Sequence, residues 1–109
     1  MSGSSSGQPP VFSPEDGASL PVATDPVALA QALIRHASVC PDPGPAQQLL
    51  AAVLEQLGFT VWHLPFGEGA EHTPNFFARL GNSAPHICFA GHTDVVPPGK
   101  EALWTHPPF

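Results

Sequence analysis

The sequence predicts an α/β fold in which two helices are followed by three strands of a mixed sheet. Two stretches carry apolar residues at helical spacing, and each opens with a start signal, Asp25-Pro26 for the first and Pro45 for the second. Three short apolar runs rich in β-branched and aromatic residues follow, bounded by glycine, proline and asparagine. With 109 residues in all, the chain has room for one small domain.

The first helix is predicted to begin at Asp25, whose side chain can accept the free N–H groups of the first turn, and to extend to about Ala37. Pro26 suits the first helical position, since its ring fixes φ at a helical value. Apolar residues then recur at steps of three and four, which predicts one buried stripe made of Val27, Ala30, Leu33, Ile34 and Ala37. His36 falls off this stripe and is predicted to lie on the solvated surface.

The second helix is predicted to run from Pro45 to about Leu57, with Gly58 as its stop. Its apolar face consists of Leu49, Leu50, Val53, Leu54 and Leu57. This face is predicted to pack on the sheet, although an apolar stripe could also fill the groove of a partner protein.

The three predicted strands cover residues 59–64, 75–80 and 86–90. The glycines between the first two suit a hairpin connection over residues 67–72. Because the third run is apolar almost throughout, it is predicted to be the central, buried strand, with Cys88 as a small buried side chain. Cys40 is expected in a loop, and the two cysteines do not indicate a disulfide.

Charge excludes several classes of partner. The net charge is −6, and the basic residues are only Arg35, Arg79 and Lys100, too few to neutralise nucleic acid or an anionic membrane. No apolar run is long enough to span a bilayer. Residues 1–24 are of low complexity and lack the features of a secretory signal, so we expect a flexible leader, a domain over 25–109 and a cytoplasmic protein.

The segment Gly91-His92-Thr93-Asp94 carries the candidate chemistry. In extended backbone alternate side chains share a face, so His92 and Asp94 can point into one cavity, beyond the predicted third strand where α/β sites form. Imidazole ligates zinc, and a carboxylate can fix its tautomer. By spacing alone a solvated turn pair is the commoner explanation, because two residues cannot fill a tetrahedral zinc shell. The remaining histidines in and near the strands, His63, His72 and His86, are predicted to lie at the surface or at edges.

A longer run of residues carries a resemblance. Residues 89–99, Phe-Ala-Gly-His-Thr-Asp-Val-Val-Pro-Pro-Gly, are followed by Trp104 and by Pro107-Pro108-Phe109. This pattern resembles the metal-binding segment of the di-zinc aminoacylase and carboxypeptidase family, and most of all its succinyl-diaminopimelate desuccinylase branch. Residues 33–35, 38–42, 57–59 and 75–78 also match that branch in order. The resemblance covers roughly residues 25–109 and implies the N-terminal portion of a zinc-peptidase-like catalytic domain.

The resemblance implies roles for two residues. His92 matches a histidine that binds one of two zinc ions, for which cobalt can substitute, and Asp94 matches the catalytic-site carboxylate that orients it. The bridging carboxylate, a glutamate pair, another acidic ligand and a late histidine would lie beyond Phe109, which implies that this chain alone is inactive.

The activity implied for the complete, homodimeric enzyme is hydrolysis of N-succinyl-LL-2,6-diaminopimelate to succinate and LL-diaminopimelate, in lysine and diaminopimelate biosynthesis. Two alternatives remain. The chain could be a non-catalytic fragment or interaction module with an open sheet edge, or part of a related zinc aminoacylase or carboxypeptidase. The Val96-Pro97-Pro98-Gly99 sequence argues against the last of these.

Overall fold

The computed structural model describes residues 24–42 and 45–109. It contains helix α1 (Pro26–Ile34), helix α2 (Ala46–Gln56), strand β1 (Thr60–His63) and strand β2 (Phe76–Arg79). Short 3-10 turns cover Gly69–Glu71 and Glu101–Leu103. The α/β class and both predicted helices are confirmed. The predicted leader lies outside the described residues except for Thr24.

Helix α1 begins where the sequence predicts. The Asp25 carboxylate accepts hydrogen bonds from the backbone N–H groups of Val27 and Ala28, at 3.1 and 3.0 Å. The helix ends at Ile34, three residues before the predicted Ala37. There the backbone N–H of His36 turns back to the Leu33 carbonyl oxygen, which tightens the last turn and releases the chain into a loop.

The predicted buried stripe of α1 is wrong. No residue of α1 is buried, and Val27 and Ile34 are 65% and 60% exposed. The reason is that, among the described elements, α1 packs only against α2. One neighbour covers part of the apolar face and leaves the rest open. His36, predicted to be solvated, is half-buried instead.

Helix α2 is the centre of the described core. It packs against α1, β1 and β2 and contributes every buried apolar side chain, namely Ala46, Leu49, Ala51 and Val53. Its predicted packing on the sheet is confirmed, although Leu57 at its end is 41% exposed. The stop at Gly58 is confirmed too: its φ is +92°, and the Phe59 N–H returns to the Leu54 carbonyl oxygen at 3.0 Å.

Strands β1 and β2 form an antiparallel pair, with Thr60 opposite Arg79 and His63 opposite Phe76. The rings of Trp62 and Phe77 stack across the pair, with their centroids 5.7 Å apart. The predicted hairpin connection is confirmed, since an antiparallel bridge between Phe66 and Thr73 continues the pairing.

The predicted third strand is wrong. Residues 86–90 form no strand, and their backbone makes no hydrogen bond to another part of the described chain. Ile87 and Phe89 are 84% and 95% exposed, and Cys88, predicted to be buried, is exposed as well. A central strand needs a neighbour on each edge and a layer on each face. Nothing in the described residues supplies them, so the sheet is antiparallel and two-stranded rather than mixed.

No helix in residues 24–42 and 45–109 has the length and apolar character needed to cross a membrane.

Candidate metal-ligand pair at His92 and Asp94

His92 and Asp94 are joined by their own hydrogen bonds. The imidazole Nδ1 lies 2.9 Å from the Asp94 backbone carbonyl oxygen and 3.1 Å from the Asp94 carboxylate Oδ1. Both oxygens are acceptors, so Nδ1 carries the hydrogen and donates it. In the neutral ring this places the free electron pair on Nε2, the atom that could ligate a metal.

The pair is accessible. The side chains of His92 and Asp94 are 80% and 46% exposed. An exposed hydrogen-bonded pair of this kind contributes little to stability, because water competes for both partners. Metal-ligating histidines commonly donate their other ring N–H to a carboxylate or a backbone carbonyl, and His92 makes both of these contacts.

The donor set is incomplete as a metal site. Among the described residues, no three side chains of histidine, cysteine, aspartate or glutamate lie close enough together to hold an ion. A zinc ion takes four ligands. Within the described residues, His92 and Asp94 by themselves do not make up a complete zinc site.

The backbone that carries the pair is held by a distant part of the chain. We call residues 91–95 the site loop and residues 38–40, which follow α1, the serine segment. A parallel bridge joins Val39 to Val95. In it the Cys40 N–H donates to the Val95 carbonyl oxygen, and the Val95 N–H donates to the Ser38 carbonyl oxygen, each at 2.9 Å. The Ser38 hydroxyl also donates to the Thr93 carbonyl oxygen, at 2.8 Å.

The layout of the site differs from the one that the sequence predicts. His92 and Asp94 do not follow a paired strand, because residues 86–90 form none. Their side chains meet through a local hydrogen bond over two residues, and the bridge to the serine segment holds their backbone. Further along, the Trp104 indole N–H donates to the Pro98 carbonyl oxygen at 3.0 Å, which closes the turn after the site loop.

The sequence predicts three further histidines at the surface or at strand edges. His63, His72 and His86 are exposed, as predicted. The His86 Nε2 lies 3.1 Å from the Arg79 Nη2, where the guanidinium donates and the ring accepts. The Arg79 Nε is buried and has no hydrogen-bond partner within the part of the chain that the structure describes.

An open cleft of about 930 Å³ runs between α2, β2 and the site loop, and its lining includes Leu50, Phe76, Arg79, His92 and Asp94. Ile87 and Phe89 also line it, although both are largely exposed to solvent. Small-molecule sites enclose most of their ligand. This cleft lacks that enclosure, so the described residues do not form a closed ligand site.

Ser38 makes a contact with the site loop that reasoning from the sequence did not identify. It lies 55 residues from Thr93 along the chain, and a contact at that separation leaves no periodic signal. From the sequence alone, a serine just after a helix is interpreted as an ordinary loop residue. Its burial, with 4% exposed, is visible only in the structure.

No family model matches this chain. The chain is 59% identical over 93 residues to a succinyl-diaminopimelate desuccinylase of Gluconacetobacter diazotrophicus, a match that covers 85% of this chain and 24% of that protein. The desuccinylase of Gluconobacter oxydans is 60% identical over 86 residues, which cover 79% of this chain and 22% of the relative. That of Rhodospirillum centenum is 54% identical over 89 residues, or 81% and 23%.

Identity above one half over four-fifths of the chain is far beyond a shared fold or a shared short motif. The extent of the match also has a clear limit, because the chain spans about a quarter of the length of the curated relatives it matches. The chain is thus homologous, over that quarter, to the succinyl-diaminopimelate desuccinylases.

Proposed function

We propose that this chain is the N-terminal, His92-bearing part of a zinc-dependent succinyl-diaminopimelate desuccinylase. The observation that carries the proposal is the hydrogen bond from His92 Nδ1 to Asp94, which leaves Nε2 free to bind a metal. Homology to enzymes of that name, at 54–60% identity, supports the choice of reaction.

In this proposal His92 binds one of two zinc ions through Nε2, and Asp94 keeps the ring in the tautomer and orientation that binding needs. Zinc, or cobalt in its place, supplies Lewis acidity for amide hydrolysis when bound. The further ligands and the general base would come from parts of the complete enzyme outside this chain, which spans 24% of the length of the Gluconacetobacter diazotrophicus relative.

The substrate of the complete enzyme is N-succinyl-LL-2,6-diaminopimelate, and the products are succinate and LL-diaminopimelate, as in lysine biosynthesis. We place this enzyme in the cytoplasm as a homodimer. The 109-residue chain by itself would not hydrolyse the substrate, because one histidine binds zinc too weakly to hold it.

A chimera tests the assignment. Residues of this chain would replace the matching segment of the Gluconacetobacter diazotrophicus enzyme, and kcat/KM would be measured for N-succinyl-LL-2,6-diaminopimelate, an N-acetyl amino acid and a dipeptide. We expect the chimera to prefer the succinylated substrate and His92→Ala to abolish turnover. A chimera that folds and binds metal but has lost all turnover of that substrate would contradict the proposal.

A further inference from the structure

We propose that Ser38 is a positioning residue for the metal-ligand pair. By tying the serine segment to the site loop, it holds Asp94 where the carboxylate and carbonyl receive the His92 Nδ1–H. The inference rests on the proposed function, in which His92 binds metal through Nε2.

The hydrogen bonds of the serine segment enclose Asp94 on both sides along the chain. The Ser38 hydroxyl holds the carbonyl oxygen of Thr93, the residue before Asp94. The Ser38 carbonyl oxygen and the Cys40 N–H hold the two backbone groups of Val95, the residue after it. With both neighbours fixed, the backbone carbonyl of Asp94 has little freedom to move, and this oxygen accepts from His92 at 2.9 Å.

Burial distinguishes the two parts of this arrangement. The His92 and Asp94 side chains are 80% and 46% exposed, so their own hydrogen bond is open to competition from water. Ser38 is 4% exposed and is the buried polar residue of the described chain. A hydrogen bond shielded from water persists where an exposed one is exchanged. The part-buried bond from the Ser38 hydroxyl to Thr93 is less open to water than the His92–Asp94 bond, and it therefore helps to maintain the geometry of the exposed pair.

A serine that only stabilised the fold would make the same hydrogen bonds at the same distances. The test therefore needs a measurement at the His92 ring. In the 109-residue chain without metal, two-bond ¹⁵N–¹H spectra at a pH where the ring is neutral report which nitrogen carries the hydrogen. We expect mainly Nδ1–H at His92 and a marked shift towards Nε2–H in Ser38→Ala. Exchange of the Val95 amide should also become about two- to tenfold faster, the range for loss of one hydrogen bond.

Ser83→Ala is the matched control, because it removes an exposed serine hydroxyl outside both segments. It should leave the His92 tautomer and the Val95 amide unchanged. An unchanged His92 tautomer in Ser38→Ala would overturn the proposal, even if that variant were less stable overall.

A measurement on the unmutated chain covers the case in which Ser38→Ala fails to fold. The Val95 N–H is bonded to Ser38, whereas no backbone bond ties the Val96 N–H within the described residues. Exchange at Val95 should be clearly slower than at Val96, and equal rates would overturn the proposal. The tautomer and amide-exchange measurements require neither metal nor substrate. The Ser38 proposal can therefore fail while the desuccinylase assignment stands, and the assignment can fail while the Ser38 proposal stands.

Discussion

His92 donates one imidazole hydrogen to two oxygens of a single residue, the backbone carbonyl and the carboxylate of Asp94, at 2.9 and 3.1 Å. The contact with the backbone carbonyl does not depend on which side chain stands at position 94. The contact with the carboxylate also places a negative charge beside the ring. The backbone carbonyl alone can orient the ring, whereas the carboxylate charge would also strengthen cation binding at Nε2. The two effects can therefore be tested separately.

Replacing Asp94 with asparagine is expected to keep the ring orientation and lower zinc affinity. The backbone acceptor remains, but the charge is lost, and such a change beside a metal-ligating histidine costs about ten- to a hundredfold in affinity or activity. Zinc affinity would be measured in the chimera by competition with a chelator. Glu55→Gln is the control, because it removes an exposed carboxylate near the end of α2. It should leave zinc affinity unchanged.

The core of α2 can be tested with two substitutions of the same kind. Val53 is fully buried, with 0% exposed, whereas Val96 is 80% exposed. Val53→Ala should lower the free energy of unfolding of the 109-residue chain by about 1–3 kcal/mol, through lost burial and a residual cavity. Val96→Ala should change it by less than about 0.5 kcal/mol. Urea titration followed by tryptophan fluorescence measures both, and equal losses would show that the described core is wrong.

Two glycines with the same φ angle can be compared: Gly67 lies in the hairpin connection, and Gly81 follows β2. Gly67 and Gly81 both have φ of +79°, but a Cβ at Gly67 would collide with the Glu71 carbonyl oxygen, whereas one at Gly81 meets nothing within 4 Å. Alanine at either position costs about 1–2 kcal/mol for the left-handed conformation. At Gly67 we expect at least about 1 kcal/mol more, because the turn must also shift. Thermal unfolding that ranks Gly81→Ala as the more damaging variant would contradict this geometry.

The unpaired apolar segment should govern self-association of the isolated chain. Residues 86–90 expose apolar side chains, and their backbone groups have no backbone hydrogen-bond partner in the part of the chain that the structure describes; this combination promotes edge-to-edge pairing. Phe89→Ser should shift sedimentation profiles towards the monomer. Leu103→Ser removes a side chain that is also exposed, at 81%, but in a 3-10 turn, and should have little effect. If Phe89→Ser and Leu103→Ser reduced association equally, the association would come from exposed apolar side chains in general and not from residues 86–90.

Local signals account for the parts of the fold that the sequence predicts well. The Asp25 cap and the Gly58 stop depend on neighbours within a few residues, and the hairpin joins two strands that follow one another along the chain. The structure has all three. The buried stripe of α1 and the third strand depend on surfaces that must come from elsewhere. An apolar pattern states that a residue suits burial, but it cannot say whether a partner surface is present.

The candidate site divides in the same way. His92 and Asp94 are two residues apart, so their pairing can be read from spacing and resemblance. The contact between Ser38 and Thr93 spans 55 residues and depends on how the loop after α1 meets the site loop. Only a three-dimensional structure reveals such a contact, which is why the serine was not identified from the sequence.

The most direct test of the account is the zinc content of the chimera with and without His92. Metal analysis after exhaustive dialysis should find two zinc ions per chain in the chimera and the loss of one in His92→Ala, with His63→Ala as an exposed-histidine control that retains both. If His92→Ala keeps both zinc ions and full hydrolysis of N-succinyl-LL-2,6-diaminopimelate, His92 is not a metal ligand and the account is wrong.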